Sequence, residues 1–220
     1  MRTAADKRKT NETEISISLS IDGRTGGGAD GGICAGNNGG ADGGICAGTG
    51  IERCKIETGC GFLNHMLTLF AFHSGFALDI CARGDTDVDY HHLTEDIGIV
   101  LGQCLKKAVG DGRGIARYAS VFLPMDEALV LIALDAGGRA YLNYDADIKP
   151  QKVGGFDTEL VKEFLSALCR SLGLTLHVKQ LYGENAHHII EAVFKGLGRA
   201  LGEALRINAA GGIPSSKGVL

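Results

Sequence analysis

Two short stretches of this chain repeat one pattern of potential metal ligands: His91-His92-Leu93-Thr94-Glu95 and His187-His188-Ile189-Ile190-Glu191. Both have the pattern His-His-x-x-Glu, and each opens a segment whose apolar residues recur at helical spacing. Histidine and glutamate side chains three or four apart on a helix lie on one face, close enough to bind one ion. Because the chain has only seven histidines, the repeat predicts a two-metal centre.

The two stretches lie 96 residues apart (187 − 91 = 96) and divide the chain into similar halves. The pattern predicts strands at 13–21, 51–58 and 76–81 and helices at 62–73 and 92–108 in the first half. The second half repeats this order, with strands at 128–135, 139–145 and 174–179, a helix capped by Asp157 and ending at Leu172, and a helix capped by Asn185. We therefore predict an α+β fold of two similar half-domains, 1–115 and 116–220, each a small sheet covered on one face by helices, forming together one compact unit.

A glycine-rich stretch interrupts the first half. The ten residues GGADGGICAG occupy 27–36 and recur unchanged at 39–48. Because ordering so many glycines costs backbone entropy, we predict that 24–48 is a mobile insertion at the tip of a hairpin. A phosphate-binding loop is disfavoured because no GxxxxGK[ST] pattern follows. A metal site is less favoured still; it would use Asp30, Cys34, Asp42 and Cys46.

Composition excludes several classes of protein. A net charge of −4 offers no basic field for nucleic acid. No apolar run approaches the ~20 residues that span a bilayer, and the polar N-terminus has no signal core, which favours a cytoplasmic protein. The seven cysteines are odd in number and lack a Cys-x-x-Cys pair. We therefore expect neither a disulfide framework nor a zinc–thiolate site, and mostly small buried thiols.

The donor atoms limit which metal would bind. Adjacent histidines on a helix diverge by about 100°, so each pair would direct its rings to two different ions or to the half-site of another subunit. Imidazole and carboxylate ligands without thiolate suit manganese, iron, zinc or cobalt. Several such ligands per ion favour Mn²⁺ or Fe²⁺ over tetrahedral zinc.

The C-terminal segment offers a phosphate site. Residues 213–218 read Ile-Pro-Ser-Ser-Lys-Gly, with two hydroxyls and an ammonium in a glycine-flanked turn. The alternative is a solvated tail. Arg117, Arg139 and Lys195 would add positive charge, and Lys195 lies one helical turn beyond Glu191. Metals beside such a cluster indicate a small phosphorylated substrate with a metal-binding group.

Four segments together resemble the imidazoleglycerol-phosphate dehydratase family: GFLNHML at 61–67, DYHHLTED at 89–96, ENAHHIIEAVFK at 184–195 and IPSSKGVL at 213–220. The resemblance covers nearly the whole chain outside the insertion. It implies a duplicated fold of the ribosomal protein S5 domain 2-like kind. It also implies a shell of 24 subunits built from trimers, with two Mn²⁺ per active site shared between subunits; Fe²⁺, Co²⁺ or Zn²⁺ are possible substitutes.

The resemblance also implies roles for individual residues. The implied metal ligands are His65, His91, His92, Glu95, His177, His187, His188 and Glu191. The implied substrate and phosphate contacts are Glu12, His65, Arg117, Arg139, Lys195, Ser215, Ser216 and Lys217. The implied catalytic residues are Glu12, Glu191, His91 and His187. The chain departs from many relatives at Asn64, Leu69, Tyr90 and Leu93, and these changes leave every implied ligand in place.

The reaction implied by the family is dehydration of imidazole glycerol phosphate to imidazole acetol phosphate in histidine biosynthesis. Metals on both ring nitrogens would hold the ring as an imidazolate, whose electrons expel the hydroxyl group. Carboxylates, Glu12 and Glu191 among them, would move the protons. Two alternatives remain open on the residues alone: a two-metal hydrolase of a small phosphorylated substrate, and a metal-binding shell protein without catalysis.

Overall fold

The computed structural model describes residues 1–23, 54–149, 151–208 and 211–218. Within them lie four helices and ten strands. The first half contains β1 Thr3–Lys9, β2 Thr13–Ser20, β3 Cys54–Glu57, α1 Gly61–Ser74, β4 Ala77–Gly84 and α2 His91–Val109. The second half contains β5 Tyr118–Met125, β6 Ala128–Asp135, β7 Tyr141–Asp145, β8 Lys152–Val153, β9 Phe156–Asp157, α3 Leu160–Leu172, β10 Thr175–Tyr182 and α4 Ala186–Ala204.

The two main sheets have the same topology. The first sheet has the order β1-β2-β4-β3, and the second has the order β5-β6-β10-β7. In the first sheet, β4 pairs antiparallel with β2 and parallel with β3. In the second sheet, β10 pairs antiparallel with β6 and parallel with β7. The prediction of an α+β fold with two similar halves is therefore confirmed. The boundary between residues 115 and 116 stays a prediction.

Helices from one half pack against helices from the other. The pairs are α1 with α4 and α2 with α3. Glycines permit the close approach: a Cβ atom on Gly198 of α4 would lie 2.6 Å from the carbonyl oxygen of Phe70, and one on Gly98 of α2 would lie 2.7 Å from that of Phe164. A single apolar core fills the space between helices and sheets. This packing fixes α1 beside α4, where the candidate site lies.

Local sequence patterns predicted the buried elements well. Period two in β2 buries Ile15, Ile17 and Leu19, as expected. Gly75 ends α1 in the left-handed conformation (φ 75°). Asn185 caps α4, its side chain accepting hydrogen bonds from the backbone N–H groups of His187 and His188.

Two expectations need correction, and one lies outside the described residues. Strand β2 and the strand that follows the insertion are not a hairpin, because both pair with β4 from opposite sides. The insertion itself, 24–48, lies outside the described residues. Asp157 does not cap α3; it belongs to the short β9, and the helix begins at Leu160 after Glu159. The edge strands β1 and β5 were not predicted. Strand β1 lacks the apolar alternation of a buried strand, and β5 is apolar on both faces and contains Pro124.

The cysteines are mostly as expected. Cys60, Cys104 and Cys169 are buried and free, and burial raises the pKa of Cys104 and of Cys169 to about 12. Cys81, however, is disulfide-bonded. Among the described residues, no helix is long and apolar enough to cross a bilayer.

Candidate metal centre

One group of potential metal ligands is already assembled within the chain. His65 of α1 and His187 and Glu191 of α4 each offer a ligand atom, and these atoms all lie within 4.8 Å of one another. A Glu191 carboxylate oxygen is 3.1 Å from His187 Nε2 and 3.6 Å from His65 Nε2. Two imidazoles and a carboxylate form a donor set that suits manganese, iron, cobalt or zinc.

Helix geometry places these three side chains. His187 and Glu191 are four residues apart, so they project from the same face of α4. Close packing of α1 on α4 supplies His65 from the facing helix, and the His65 and His187 ring centroids are 5.9 Å apart. The ring of Phe62 contacts His187 edge-on at 5.3 Å and limits its movement. The site therefore rests on two packed helices rather than on loops.

Glu191 is held as a carboxylate in a largely buried position. It is only 7% exposed. Burial raises its pKa, but the Lys195 ammonium, 2.5 Å from the other carboxylate oxygen, and the hydrogen bond with His187 outweigh burial and lower the pKa overall. An ionised glutamate is what a cation site requires.

His188 points to a different partner from His187. Its Nδ1 lies 2.6 Å from a carboxylate oxygen of Glu127, and the other oxygen of that carboxylate accepts the Asn185 backbone N–H at 2.9 Å. The Glu127 hydrogen bond raises the pKa of His188, and His188 lowers the pKa of Glu127 to about 2. Sequence reasoning missed Glu127, because the contact spans 61 residues and no local pattern signals it.

In the first histidine pair, at the start of α2, the second histidine also lies beside a carboxylate, as His188 does. His92 Nδ1 lies 3.0 Å from Asp85 and 3.8 Å from Glu12. The hydrogen bond to Asp85 raises the pKa of His92. Asp89 accepts the backbone N–H of His91, the first residue of α2, at 2.7 Å. The ring centroids of His91 and His92 are 6.0 Å apart.

Other implied ligands lie apart from the assembled group. The carboxylate of Glu95 pairs with Arg170 of α3 at 2.8 Å. His177 lies on an exposed face of β10, with its ring 5.8 Å from that of Tyr141. Within the described part of one chain, only His65, His187 and Glu191 converge as a metal group. The remaining assignments stay predictions.

Most of the proposed phosphate contacts lie at the opposite end of α4. Arg117 binds Asp135 through two hydrogen bonds, of 2.6 and 3.0 Å, and donates another of 2.9 Å to the carbonyl of Pro214. Its backbone N–H bonds to the carbonyl of Ala204 at 2.8 Å. Ala204 is 17 residues beyond His187 (204 − 187 = 17), about 26 Å along the helix at a rise of ~1.5 Å per residue.

The remaining phosphate candidates divide between the two ends. Arg139 is 3.9 Å from Asp135 and so belongs to the Arg117 end. Ser215, Ser216 and Lys217 directly follow Pro214, and the Ser215 hydroxyl accepts the backbone N–H of Lys217 at 3.2 Å. Lys195 alone sits beside the metal group.

Comparisons with known proteins agree with this geometry. The family model described as imidazoleglycerol-phosphate dehydratase matches residues 58–201. The chain belongs to the imidazoleglycerol-phosphate dehydratase family. It is 48% identical to the family member from Acetivibrio thermocellus, covering 97% of this chain and 96% of the relative. It is 50% identical to the member from Xanthobacter autotrophicus, covering 100% and 99%.

Solved structures of the dehydratase family share the fold. The structure from Staphylococcus aureus has a TM-score of 0.75 and 40% identity, covering 94% of this chain and 99% of that one. The Pyrococcus furiosus structure, in complex with (S)-C348, has a TM-score of 0.76 and 38% identity, covering 98% and 100%. Membership of the dehydratase family makes this chain an enzyme of that kind, and its histidine–glutamate group lies within the matched residues.

Proposed function

We propose that this enzyme removes water from imidazole glycerol phosphate to give imidazole acetol phosphate, a step of histidine biosynthesis carried out in the cytoplasm. The observation that carries the proposal is the convergence of His65, His187 and Glu191 in a chain of the dehydratase family. These donors suit a substrate whose imidazole ring is itself a metal ligand. The anionic phosphate would be bound by the cationic C-terminal segment.

We propose that two Mn²⁺ ions bind per active site, with Fe²⁺, Co²⁺ or Zn²⁺ as possible substitutes. Their ligands would be His65, His91, His92, Glu95, His177, His187, His188 and Glu191. When bound, the metals would stabilise the substrate ring as an imidazolate, because a cation lowers the pKa of its ligands by many units.

The chain's own side chains supply binding and proton transfer. Glu191, held ionised next to Lys195, would orient the metal-side end of the substrate. Glu12 is half-exposed near His92 and would exchange a proton with the carbon chain next to the ring. Ser215, Ser216 and Lys217, with Arg117 and Arg139, would hold the phosphate and thus fix the reacting carbon.

A complete site needs more than one subunit. The metal group and the Arg117 end of the same chain are separated by about 26 Å along α4, too far for one small substrate to reach both. The outer face of the second sheet would supply a contact surface: Phe122 is 64% exposed, and Tyr141, whose ring lies 5.8 Å from that of His177, is 55% exposed. We propose a homo-oligomer, 24 subunits built from trimers, in which neighbours complete each site.

The test of this function is the identity of the product. Protein loaded with Mn²⁺ is incubated with imidazole glycerol phosphate, and the enolisable ketone is measured together with inorganic phosphate. The proposal expects the ketone and no phosphate release. Free phosphate would favour a two-metal hydrolase, and no conversion at all would favour a metal-binding protein without catalysis. A His187→Ala variant serves as the matched inactive control.

A further inference from the structure

A buried carboxylate next to a proposed metal ligand has no part in the mechanism above. Asp96, on α2, is 7% exposed. One of its oxygens accepts a hydrogen bond from Arg8 Nε at 2.7 Å, and the other accepts a short one from the Thr13 hydroxyl. Burying a charge is costly unless it is paired. Both partners lie on β1 and β2, so the carboxylate joins the helix to the turn between those strands.

That turn carries Glu12. The Thr10 hydroxyl accepts the backbone N–H groups of Glu12 at 3.1 Å and of Thr13 at 2.9 Å, and it lies 3.2 Å from the Thr13 hydroxyl. The Glu12 carbonyl accepts the backbone N–H of Asp85 at 3.1 Å. The chain of contacts from Asp96 through Thr13 and Thr10 therefore ends at the backbone of Glu12.

The duplicated half shows that the fold itself does not require this carboxylate. Adding the repeat offset to position 96 gives position 192, which is Ala192, with 0% exposure. Both helices are 19 residues long and carry a histidine pair in the first turn. At this position of the repeat, therefore, a buried acid occurs only in the half whose turn carries Glu12.

The glutamates that precede the second strand of each half also differ. Glu127, before β6, is committed to His188 and to the backbone at the start of α4. Glu12, before β2, has a side chain 56% exposed, and its closest described charged partner is His92 at 3.8 Å. The Glu127 carboxylate is therefore occupied by structural hydrogen bonds, whereas the Glu12 carboxylate is available to a substrate.

We propose that Asp96 is a positioning residue that acts through Thr13 to hold the Glu12 turn beside His92, so that the Glu12 carboxylate meets the substrate. This inference rests on the proposed function, in which Glu12 exchanges a proton with the substrate. Displacement of such a group by about 1 Å can cost on the order of 100-fold in rate. The effect should fall on kcat more than on KM.

The variants are Thr13→Val, which removes only the hydroxyl, and Asp96→Ala, which copies the residue of the second half. The control is Asp22→Asn, which weakens a more exposed Asp–Arg ion pair, with Arg2, at the other end of the same strands. Each is also made in a Glu12→Gln background. Two quantities are measured: kcat and KM of the Mn²⁺-loaded enzyme, and hydrogen exchange of the Glu12 and Asp85 amides.

We expect Thr13→Val to lower kcat at least about tenfold, with little change in KM, and to speed exchange of both amides. Asp22→Asn should change neither. In the Glu12→Gln background, Thr13→Val and Asp96→Ala should add almost nothing, because they act through the group already removed. If Thr13→Val and Asp96→Ala lowered kcat by the same factor in the Glu12→Gln background as in the wild type, the inference would be overturned.

The exchange measurement separates this inference from the proposed function. If the wild-type protein does not dehydrate the substrate, the proposed function fails, and exchange alone decides the positioning role. Unchanged protection of the Glu12 and Asp85 amides in both Thr13→Val and Asp96→Ala would then overturn the inference. If Asp96→Ala does not fold, Thr13→Val decides the question, since valine suits a strand and fills the same volume.

Discussion

Glu127 ties His188 to the first turn of its own helix, with 2.6 Å between the carboxylate oxygen and Nδ1. The same carboxylate accepts the Asn185 backbone N–H, so ring and helix start move together. A hydrogen bond at Nδ1 fixes the tautomer and leaves Nε2 for a metal. His92 has the corresponding partner in Asp85. Both halves therefore orient one histidine of each pair with an acid from a preceding loop.

Glu127→Gln should weaken metal binding by about 10- to 100-fold, because the neutral amide supports the bound imidazole less strongly. The fold should survive, since the amide oxygen still accepts the backbone N–H. Competition with a chromogenic chelator measures the affinity. Glu57→Gln, an exposed residue paired with Lys55, is the control. Equal affinity for wild type and Glu127→Gln would rule out this role.

Removing the metal should break up the assembly. If neighbouring subunits share ligands, metal binding and association are coupled. Light scattering should show a large particle before chelation and a smaller one after it. The large particle should return when Mn²⁺ is restored. A particle of unchanged size after elemental analysis confirms complete metal loss would refute the shared sites.

Lys217→Ala should lower kcat/KM at least about tenfold through loss of a charged phosphate contact, worth about 1.5–3 kcal/mol, while metal content and particle size stay constant. Wild-type turnover in this variant would favour a solvated tail.

Mixing one impaired and one inactive variant tests directly whether neighbouring subunits share sites. Lys217→Ala and His187→Ala chains are mixed, disassembled and reassembled. The mixed particles should regain part of the activity, because some sites then combine His187 from a Lys217→Ala chain with Lys217 from a His187→Ala chain. Each variant reassembled alone is the control. Mixed particles as inactive as the controls would contradict sites built from several chains.

The helix contacts that place His65 should be sensitive to a single methyl group. A Cβ on Gly202 would lie 2.5 Å from the Ser74 carbonyl oxygen, and one on Gly198 would lie 2.6 Å from that of Phe70. Gly198→Ala should therefore cost about 1–3 kcal/mol of unfolding free energy, measured by denaturant titration. Gly61→Ala should be close to neutral, because the described part of the chain places no atom beyond the adjoining residues and the local helix backbone within 4 Å of the added Cβ.

Sequence reasoning found what local patterns encode. The histidine pairs, the Asn185 cap and the buried strand β2 follow from spacing and side-chain chemistry within a few residues. The strand pairing around β4, the Glu127 contact and the Asp96–Thr13 link depend on tertiary packing, which no local pattern signals. The two side-chain contacts span 61 and 83 residues. Edge strands such as β1 bury little, so they lack the alternation that reveals β2.

The central claim is that His65, His187 and Glu191 hold a metal ion. Crystals of the Mn²⁺-loaded protein, measured at wavelengths on either side of the manganese absorption edge, test it most directly. The account predicts an anomalous difference peak within bonding distance of all three side chains. Manganese bound elsewhere, with no peak between those residues, would contradict it.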